Sequence, residues 1–331
     1  MLATRLPHAA VLMCLGLTTV SLAQTAPQDP GAPTQLDYRM ARSIVFPREE
    51  TNAIVRACDA VASRDAAIDC LLRARFSGDA RATEIALALR RDLDVIVGVE
   101  EAHTMNGGFR GQIQIVGATP LGHDRQHLEW LNDALRDFDT FVRELQAHAP
   151  QPMAYRARPQ TVRFMRSVGR TTPSAYALGW NFSYSVSGSL MRNADSVRET
   201  LFHEIFHLND AVHTGGSGRR WSERVLGSIS RTILRRCGAN RRCLTPFAPS
   251  NTTVRGGTYY AFQQDNGGDS IVEYAAELAL RYYQEQRTML RHEPFARGRF
   301  KCGPSENARA WGLLRDEFFG GADLVPACEQ P

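Results

Sequence analysis

The sequence predicts an α+β fold, because helical and strand-like patterns occur in separate blocks along the chain. Apolar residues recur at helical spacing from about residue 48 to residue 93, and again in two later helices, 196–213 and 270–290. Polar and apolar residues alternate between these blocks, as they do in half-buried strands. The strands are expected at 111–117, 161–165 and 175–190. Segregated helices and strands are typical of α+β domains.

The composition predicts an ordinary globular protein. The chain has 331 residues, of which 43% are hydrophobic and 22% charged, and its formal net charge is +4. That length can bury a substantial core, and neither glycine nor charge is in the excess that marks collagen, coiled coils or disordered chains. The charge is only mildly basic, and no stacking aromatic residues accompany the arginines, so no nucleic-acid partner is expected.

Residues 1–23 are predicted to be a signal peptide. Arg5 precedes an apolar run over 9–20, and Ser21 to Ala23 supply the small residues of a cleavage site near Ala23. The run is shorter than the roughly 20 residues that span a bilayer, and no later apolar stretch is longer. We therefore expect an exported protein, periplasmic or extracellular, with no membrane span. Residues 24–47 follow as a proline-rich leader.

The cysteines predict three disulfides. Six cysteines remain after the signal peptide, an even number that suits an oxidising compartment. Six cysteines allow 15 pairings, and proximity along the chain favours short loops. The favoured pairs are Cys58–Cys70, Cys237–Cys243 and Cys302–Cys328. Thiolate metal ligands are a weaker interpretation, because the chain has no C-x-x-C pair.

The order of elements predicts a helical N-terminal region, residues 48–110, followed by a second region over 111–331 whose tail is stapled by a disulfide. The second region is expected to begin with a strand, and a long amphipathic helix over 123–148 then follows. His127 is expected near the exposed start of that helix. The stretch 180–188 alternates like an edge strand, which could bind an extended peptide, although an ordinary core strand fits the pattern equally well.

One short motif indicates metal chemistry. Residues 203–207 read His-Glu-Ile-Phe-His, so His203 and His207 lie four residues apart on one face of a helix and can bind one metal ion. A catalytic zinc ion has three protein ligands and an open position for water, and Glu204 can act as the general base for that water. Ser196 and Glu199 have the spacing of a capping box, which supports a well-formed helix. Two surface histidines at helical spacing are the alternative.

The third ligand has three candidates. His213 has the third-histidine spacing of the metzincin motif, but Asp210 stands where that motif needs glycine. Glu273 and Glu277 lie on one face of an alanine-rich helix, where paired carboxylates are costly to bury without a cation. Ser270 and Glu273 also have capping-box spacing, so the alternative is that Glu273 serves as a helix cap and binds no metal. Glu273 is the first candidate, Glu277 the second and His213 the third.

The motifs together resemble a known family. H-E-x-x-H-x-x-D at 203–210 and Glu-Tyr-Ala-Ala-Glu at 273–277 are similar to the gluzincin arrangement of the anthrax-lethal-factor-like metallopeptidases. The resemblance implies that Glu273 is the third zinc ligand and that Glu277 supports a ligand from behind. It also implies that Asp210 orients a ligand histidine by a hydrogen bond.

The resemblance extends to a tyrosine and to the fold. A tyrosine shortly before the glutamate helix of that family can stabilise the oxyanion, and here Tyr260 is the first choice and Tyr259 the second. The implied fold for 111–331 is a zincin-like domain with an active-site helix, a small mixed sheet and a glutamate helix. The motifs cover 196–283.

The function expected from these residues is that of a secreted zinc metalloendopeptidase with one Zn²⁺ per chain and a peptide or protein substrate. One alternative is a zinc-binding interaction or scaffold domain without turnover, and another is a zinc hydrolase of a non-peptide envelope amide. A basic patch could attract acidic substrates or an anionic surface, although such runs are usually solvated faces. The patch consists of Arg231, Arg235, Arg236, Arg241 and Arg242.

Overall fold

The computed structural model describes residues 36–47, 53–107, 111–254, 256–263 and 270–329. The predicted signal peptide and residues 24–35 of the predicted leader lie outside these residues. The fold is mixed α+β, as the sequence predicts.

Four helices form the N-terminal part. They are α1 (Tyr38–Val45), α2 (Ala53–Asp59), α3 (Arg64–Phe76) and α4 (Ala80–Leu93). The side chains of Asp37, Ser63 and Asp79 cap the amino ends of α1, α3 and α4, as short polar residues commonly do. Helix α1 lies inside the predicted leader 24–47, so this part of the leader is helical. Ile44 and Val45 of this helix are fully buried.

Six strands form one mixed sheet. They are β1 (Ile96–Val99), β2 (His103–Asn106), β3 (Gln112–Gly117), β4 (Thr161–Ser167), β5 (Ala175–Leu178) and β6 (Asn181–Ser185). The order is β2-β3-β4-β6-β5, and β1 pairs with β4 in parallel, beside the antiparallel β3. Strand β6 is parallel to β4, and β5 is antiparallel to β6.

The predicted helical region 48–110 contains two of these strands. Residues 96–99 pair with Thr161–Phe164 of β4, and all four are buried. A short, fully buried apolar run has no alternation, so periodicity alone does not distinguish it from a helix. Gly98 is required there, because a Cβ at this position would lie 2.1 Å from the carbonyl oxygen of Ile44 in α1. Helix α1 and the sheet therefore pack backbone against backbone.

Of the two interpretations of 180–188, the core strand is confirmed and the edge strand is wrong. Strand β6 pairs with β4 on one side and with β5 on the other, so neither of its edges is open. The edge strand of this part of the sheet is β5, whose Leu178 is 79% exposed. Both faces of β6 are buried: Phe182 and Tyr184 belong to the apolar core, and the hydroxyl of Ser183, on the other face, donates to Glu100 at 2.6 Å.

Six further helices complete the described fold. They are α5 (Arg125–Gln146), α6 (Ala194–Val212), α7 (Gly227–Cys237), α8 (Arg241–Leu244), α9 (Ser270–Leu290) and α10 (Ser305–Phe318). Aromatic side chains join α5, α6 and α9: Phe202 of α6 stacks on Tyr283 of α9 at 4.3 Å, and Phe138 of α5 contacts both rings edge-on. His127 is buried rather than exposed, and its Nδ1 lies 3.0 Å from the hydroxyl of Tyr184 in β6.

The three predicted disulfides are confirmed. Cys58 pairs with Cys70, Cys237 with Cys243, and Cys302 with Cys328. The first joins α2 to α3, the second joins the end of α7 to α8, and the third attaches the C-terminal tail. In the described ranges, no helix has the length and apolar character needed to cross a bilayer.

Candidate metal centre

Helix α6 presents the His-Glu-Ile-Phe-His motif. It begins at Ala194, and the side chain of Asn193 accepts a hydrogen bond from the Ser196 amide at 2.8 Å. The cap is therefore Asn193, and the predicted capping box of Ser196 and Glu199 is wrong by one turn. The side of α6 that bears His203 and His207 faces α9.

Helix α9 presents the two glutamates. Ala275 and Ala276 are fully buried, and such small side chains allow α6 to approach closely. The stacked rings of Phe202 and Tyr283 hold the two helices together. Because Glu273 and Glu277 are four residues apart, both reach the same side of α6.

Three side chains converge on one point. His203 Nε2 lies 3.0 Å from His207 Nε2 and 3.2 Å from Glu273 Oε2, and His207 Nε2 lies 3.6 Å from the same oxygen. Ligand atoms around a tetrahedral zinc with bonds of about 2.0–2.1 Å are about 3.3 Å apart. The group of His203, His207 and Glu273 could therefore hold a metal ion. Glu273 contacts the histidines as the first-ranked candidate should.

Glu277 supports this group from behind. Its Oε1 lies 3.2 Å from His203 Nδ1 and its side chain is almost fully buried. When the His203 imidazole is neutral, a proton on Nδ1 that is shared with Glu277 leaves the lone pair of Nε2 facing the convergence point. The second oxygen, Oε2, has no hydrogen-bond partner among the described residues.

The metal-free group holds its positive charge as a proton on His203. Burial by itself would lower the pKa of the His203 imidazole, but the carboxylates of Glu273 and Glu277 outweigh burial and raise it. Burial would raise the pKa of Glu273, but hydrogen bonds from both histidines lower it well below its usual range. The metal-free group therefore keeps a positive charge on His203 between two carboxylates, in the place where a metal ion would carry it.

Glu204 has the properties of a proton acceptor. Burial raises the pKa of its carboxyl above the ordinary value, although the two histidines pull it back. In the part of the chain that the structure describes, no hydrogen bond engages the carboxylate of Glu204. A carboxylate with a raised pKa and free oxygens is suited to take up and return a proton at neutral pH.

Tyr260 lies beside the group. Its ring centroid is 5.8 Å from that of His203, and its hydroxyl lies within hydrogen-bonding reach of Glu273. Burial and the neighbouring carboxylates of Glu273 and Glu204 raise the pKa of the phenol, so it stays protonated and can donate a hydrogen bond. Tyr259 points elsewhere, with its hydroxyl 3.0 Å from that of Thr245.

Two predicted residues do not join the group. His213 caps the carboxyl end of α6, and its Nδ1 is 3.1 Å from Glu317, so it is not one of the three convergent side chains. Asp210 is fully buried, but its oxygens accept from the Ser222 amide at 2.7 Å and the Ser222 hydroxyl at 2.8 Å. Asp210 therefore holds the chain that follows α6, rather than a ligand histidine. In the described ranges, His207 Nδ1 has no hydrogen-bond partner.

Sequence reasoning missed two residues that hold α6 in position. Ser222 gives no signal, because it lies twelve residues beyond Asp210 across a glycine-rich loop. Asn209 does give a sequence signal, since an amide side chain on an apolar helix face needs buried hydrogen-bond partners. Its side chain accepts from the amide of Arg156 at 2.8 Å and donates to the carbonyl of Arg156 at 2.9 Å.

The chain was compared with protein-family models, with curated proteins and with solved structures, and none of the three comparisons gives a match.

Proposed function

We propose that this chain is an exported zinc metalloendopeptidase of the gluzincin type, with a zincin-like catalytic domain. The observation that carries the proposal is the convergence of His203, His207 and Glu273 at 3.0–3.6 Å, next to the free carboxylate of Glu204. Two imidazoles and one carboxylate are a donor set that suits catalytic zinc and leaves a position open. A structural zinc site would be closed by a fourth protein ligand.

The surrounding fold supports peptide hydrolysis. The mixed sheet has β5 as an edge strand, and α6 packs against it. An open antiparallel edge can receive an extended peptide through main-chain hydrogen bonds, which is compatible with cleavage inside a chain. The three disulfides favour an oxidising compartment and so support export.

Each side chain has a separate task in this proposal. Zinc, when bound, polarises the scissile carbonyl and acidifies a water molecule. Glu204 takes the proton of the attacking water at its carboxylate and transfers it to the leaving amine. Tyr260 donates a hydrogen bond to the developing oxyanion, and Glu277 holds His203 in one tautomer.

Metal content of the purified mature chain tests the ligand set. We expect about one zinc per chain in the wild type, the number that a single three-ligand site binds. Glu273→Ala should lose this zinc, whereas the matched histidine variant His213→Ala should keep it. Zinc loss in His213→Ala, or no zinc in the wild type after reconstitution at neutral pH, would overturn the ligand assignment.

Peptide hydrolysis by Glu204→Gln tests the mechanism. Glutamine preserves the shape of the side chain but cannot accept the proton, so kcat should fall by about 10²–10⁴-fold. The zinc content and the urea midpoint should remain those of the wild type. Hydrolysis at the wild-type rate by zinc-loaded Glu204→Gln would rule out this residue as the base. Zinc without any hydrolysis in the wild type, across a broad peptide panel, would favour the scaffold alternative.

A further inference from the structure

The region that leads into Tyr260 has an unusual charge distribution. Residues 224–264, called here the cationic segment, contain seven arginines and neither aspartate nor glutamate. The formal charge of this segment exceeds the +4 of the whole chain, so the remainder of the chain is net negative. The arginines are Arg224, Arg231, Arg235, Arg236, Arg241, Arg242 and Arg255.

Within the described ranges, three exposed arginines of the cationic segment have no carboxylate partner. Arg231 and Arg235 lie one turn apart on α7, and Arg242 lies on α8. Among the described residues, no carboxylate lies within ion-pair distance of these three guanidinium groups. Elsewhere on the surface, arginines commonly have partners. Examples are the pairs Arg81–Glu84, Arg125–Asp79 and Arg136–Asp92.

The cationic segment extends to the metal centre. The guanidinium of Arg241 lies 5.5 Å from the ring centroid of Tyr259. Tyr259 is followed by Tyr260, whose ring lies 5.8 Å from that of His203. Arg241 of α8 therefore lies against the residue that directly precedes Tyr260.

The surface around α7 also has a concave shape. An open concavity of about 460 Å³ lies between Arg231 and Arg235, and Ser228 and Thr232 contribute hydroxyl groups to its lining. Guanidinium groups bind carboxylates in a bidentate manner, and the Ser228 hydroxyl can donate a further hydrogen bond, whereas the Thr232 hydroxyl already donates to the Ser228 carbonyl. The concavity is large enough for an acidic side chain.

We infer that the cationic segment selects acidic polypeptides as substrates, by binding Asp- and Glu-rich sequence that flanks the scissile bond. This inference rests on the proposed function. Insertion into a membrane is disfavoured, because the large hydrophobic side chains exposed in the described ranges all lie outside the segment. Stacking of nucleic-acid bases is disfavoured too, because Phe247, Tyr259 and Phe262 are buried.

Binding of labelled peptides tests the inference separately from hydrolysis. The zinc-loaded Glu204→Gln chain is titrated with a fluorescent peptide rich in Asp and Glu, and with its Asn and Gln counterpart of equal length. The acidic peptide should bind about tenfold more tightly at low ionic strength, and added salt should reduce the difference. The neutral peptide should show no such salt dependence.

Two triple variants locate the site. Replacing Arg231, Arg235 and Arg242 together by Gln should abolish the preference for the acidic peptide. The control replaces Arg39, Arg73 and Arg143, exposed arginines of α1, α3 and α5, and should leave the preference within about twofold of the parent. Each variant loses three positive charges. An equal loss of preference in both would therefore attribute the preference to net charge and overturn the assignment of the binding site.

The remaining outcomes separate this inference from the proposed function. Hydrolysis of neutral and acidic peptides at equal kcat/KM would overturn the inference and leave the peptidase intact. Binding of the acidic peptide that depends on the three arginines, without hydrolysis by the wild type, would support the inference for binding and remove the peptidase. Tighter binding to a DNA oligomer, or to vesicles of equal parts phosphatidylcholine and phosphatidylglycerol, than to the acidic peptide would overturn the choice of partner.

Discussion

His203 lies between two carboxylates that have different tasks. Glu273 approaches Nε2 at 3.2 Å, on the side where a metal would bind, whereas Glu277 approaches Nδ1 at 3.2 Å from behind. We expect Glu277→Gln to weaken zinc binding by about 10–100-fold, because the neutral amide no longer raises the basicity of the imidazole. Competition with a chromophoric chelator measures this affinity.

A second His–Glu pair provides the control for this variant. His213 and Glu317 are 3.1 Å apart and lie outside the convergent group. Glu317→Gln removes the same charge from the same kind of contact, so zinc affinity should stay at the wild-type value. Equal zinc affinities for Glu277→Gln and the wild type would mean that Glu277 only fills space behind His203.

The residues of the candidate site differ in how far sequence predicts them. His203, Glu204 and His207 are fixed by local helical spacing, which needs no tertiary information. Glu273 lies 70 residues from His203 along the chain. The residue pattern alone therefore leaves Glu277 and His213 as alternative third ligands, and the family resemblance favours Glu273. The bond of Asp210 to Ser222 has no sequence signal, since it depends on how the loop after α6 returns.

The seam between α6 and α9 positions the candidate ligands of both helices. Phe202 precedes the first ligand histidine and stacks on Tyr283 of α9. We expect Phe202→Ala to lower the free energy of unfolding by about 3–5 kcal/mol, since it leaves a cavity at a fully buried site. Zinc affinity should fall as well, because α9 then no longer holds Glu273 at a fixed distance from His203. Urea unfolding of the metal-free chain and chelator competition measure the two effects.

Phe76 of α3 is the matched control for the seam. It is also fully buried, but it lies in the N-terminal helices away from the ligands. Phe76→Ala should lower the free energy of unfolding by a similar amount, about 3–5 kcal/mol, without changing zinc affinity under folded conditions. A loss of affinity in both variants would show that zinc binding follows global stability rather than the seam.

Elements were predictable where their pattern is long and amphipathic. Helices α5, α6 and α9 lie within a few residues of their predicted bounds. Strand β1 was missed because it is short and buried on both faces, and α1 was missed because it follows a proline-rich stretch. The order of strands in the sheet depends on non-local pairing, so the sequence did not show that β5 rather than β6 lies at the edge.

A half-buried carboxylate joins α5 to the end of α9. Asp137 of α5 accepts hydrogen bonds from Tyr283, Arg287 and Arg291 of the segment around α9, about 150 residues later. Burial would raise the pKa of Asp137, but the hydrogen bonds from Tyr283 and Arg287 and the charges of both arginines lower it below the ordinary value. Global stability should therefore depend on the ionisation of this one carboxyl.

The sign of this dependence gives a prediction for the whole molecule. The pKa of Asp137 is lower in the folded chain than the value of about 3.9 in the unfolded chain, so its stabilisation is complete above that value and is lost as pH falls through the folded pKa. Asp137→Asn should lower the free energy of unfolding by about 2 kcal/mol at neutral pH, and its stability should fall less steeply below about pH 4. Urea midpoints of the metal-free chain across this range measure both effects.

Asp139→Asn is the control, because Asp139 is more exposed and contacts its arginines at 3.6–3.9 Å. If the urea midpoint of Asp137→Asn falls below about pH 4 as steeply as that of the wild type, the acid sensitivity arises from other carboxyl groups.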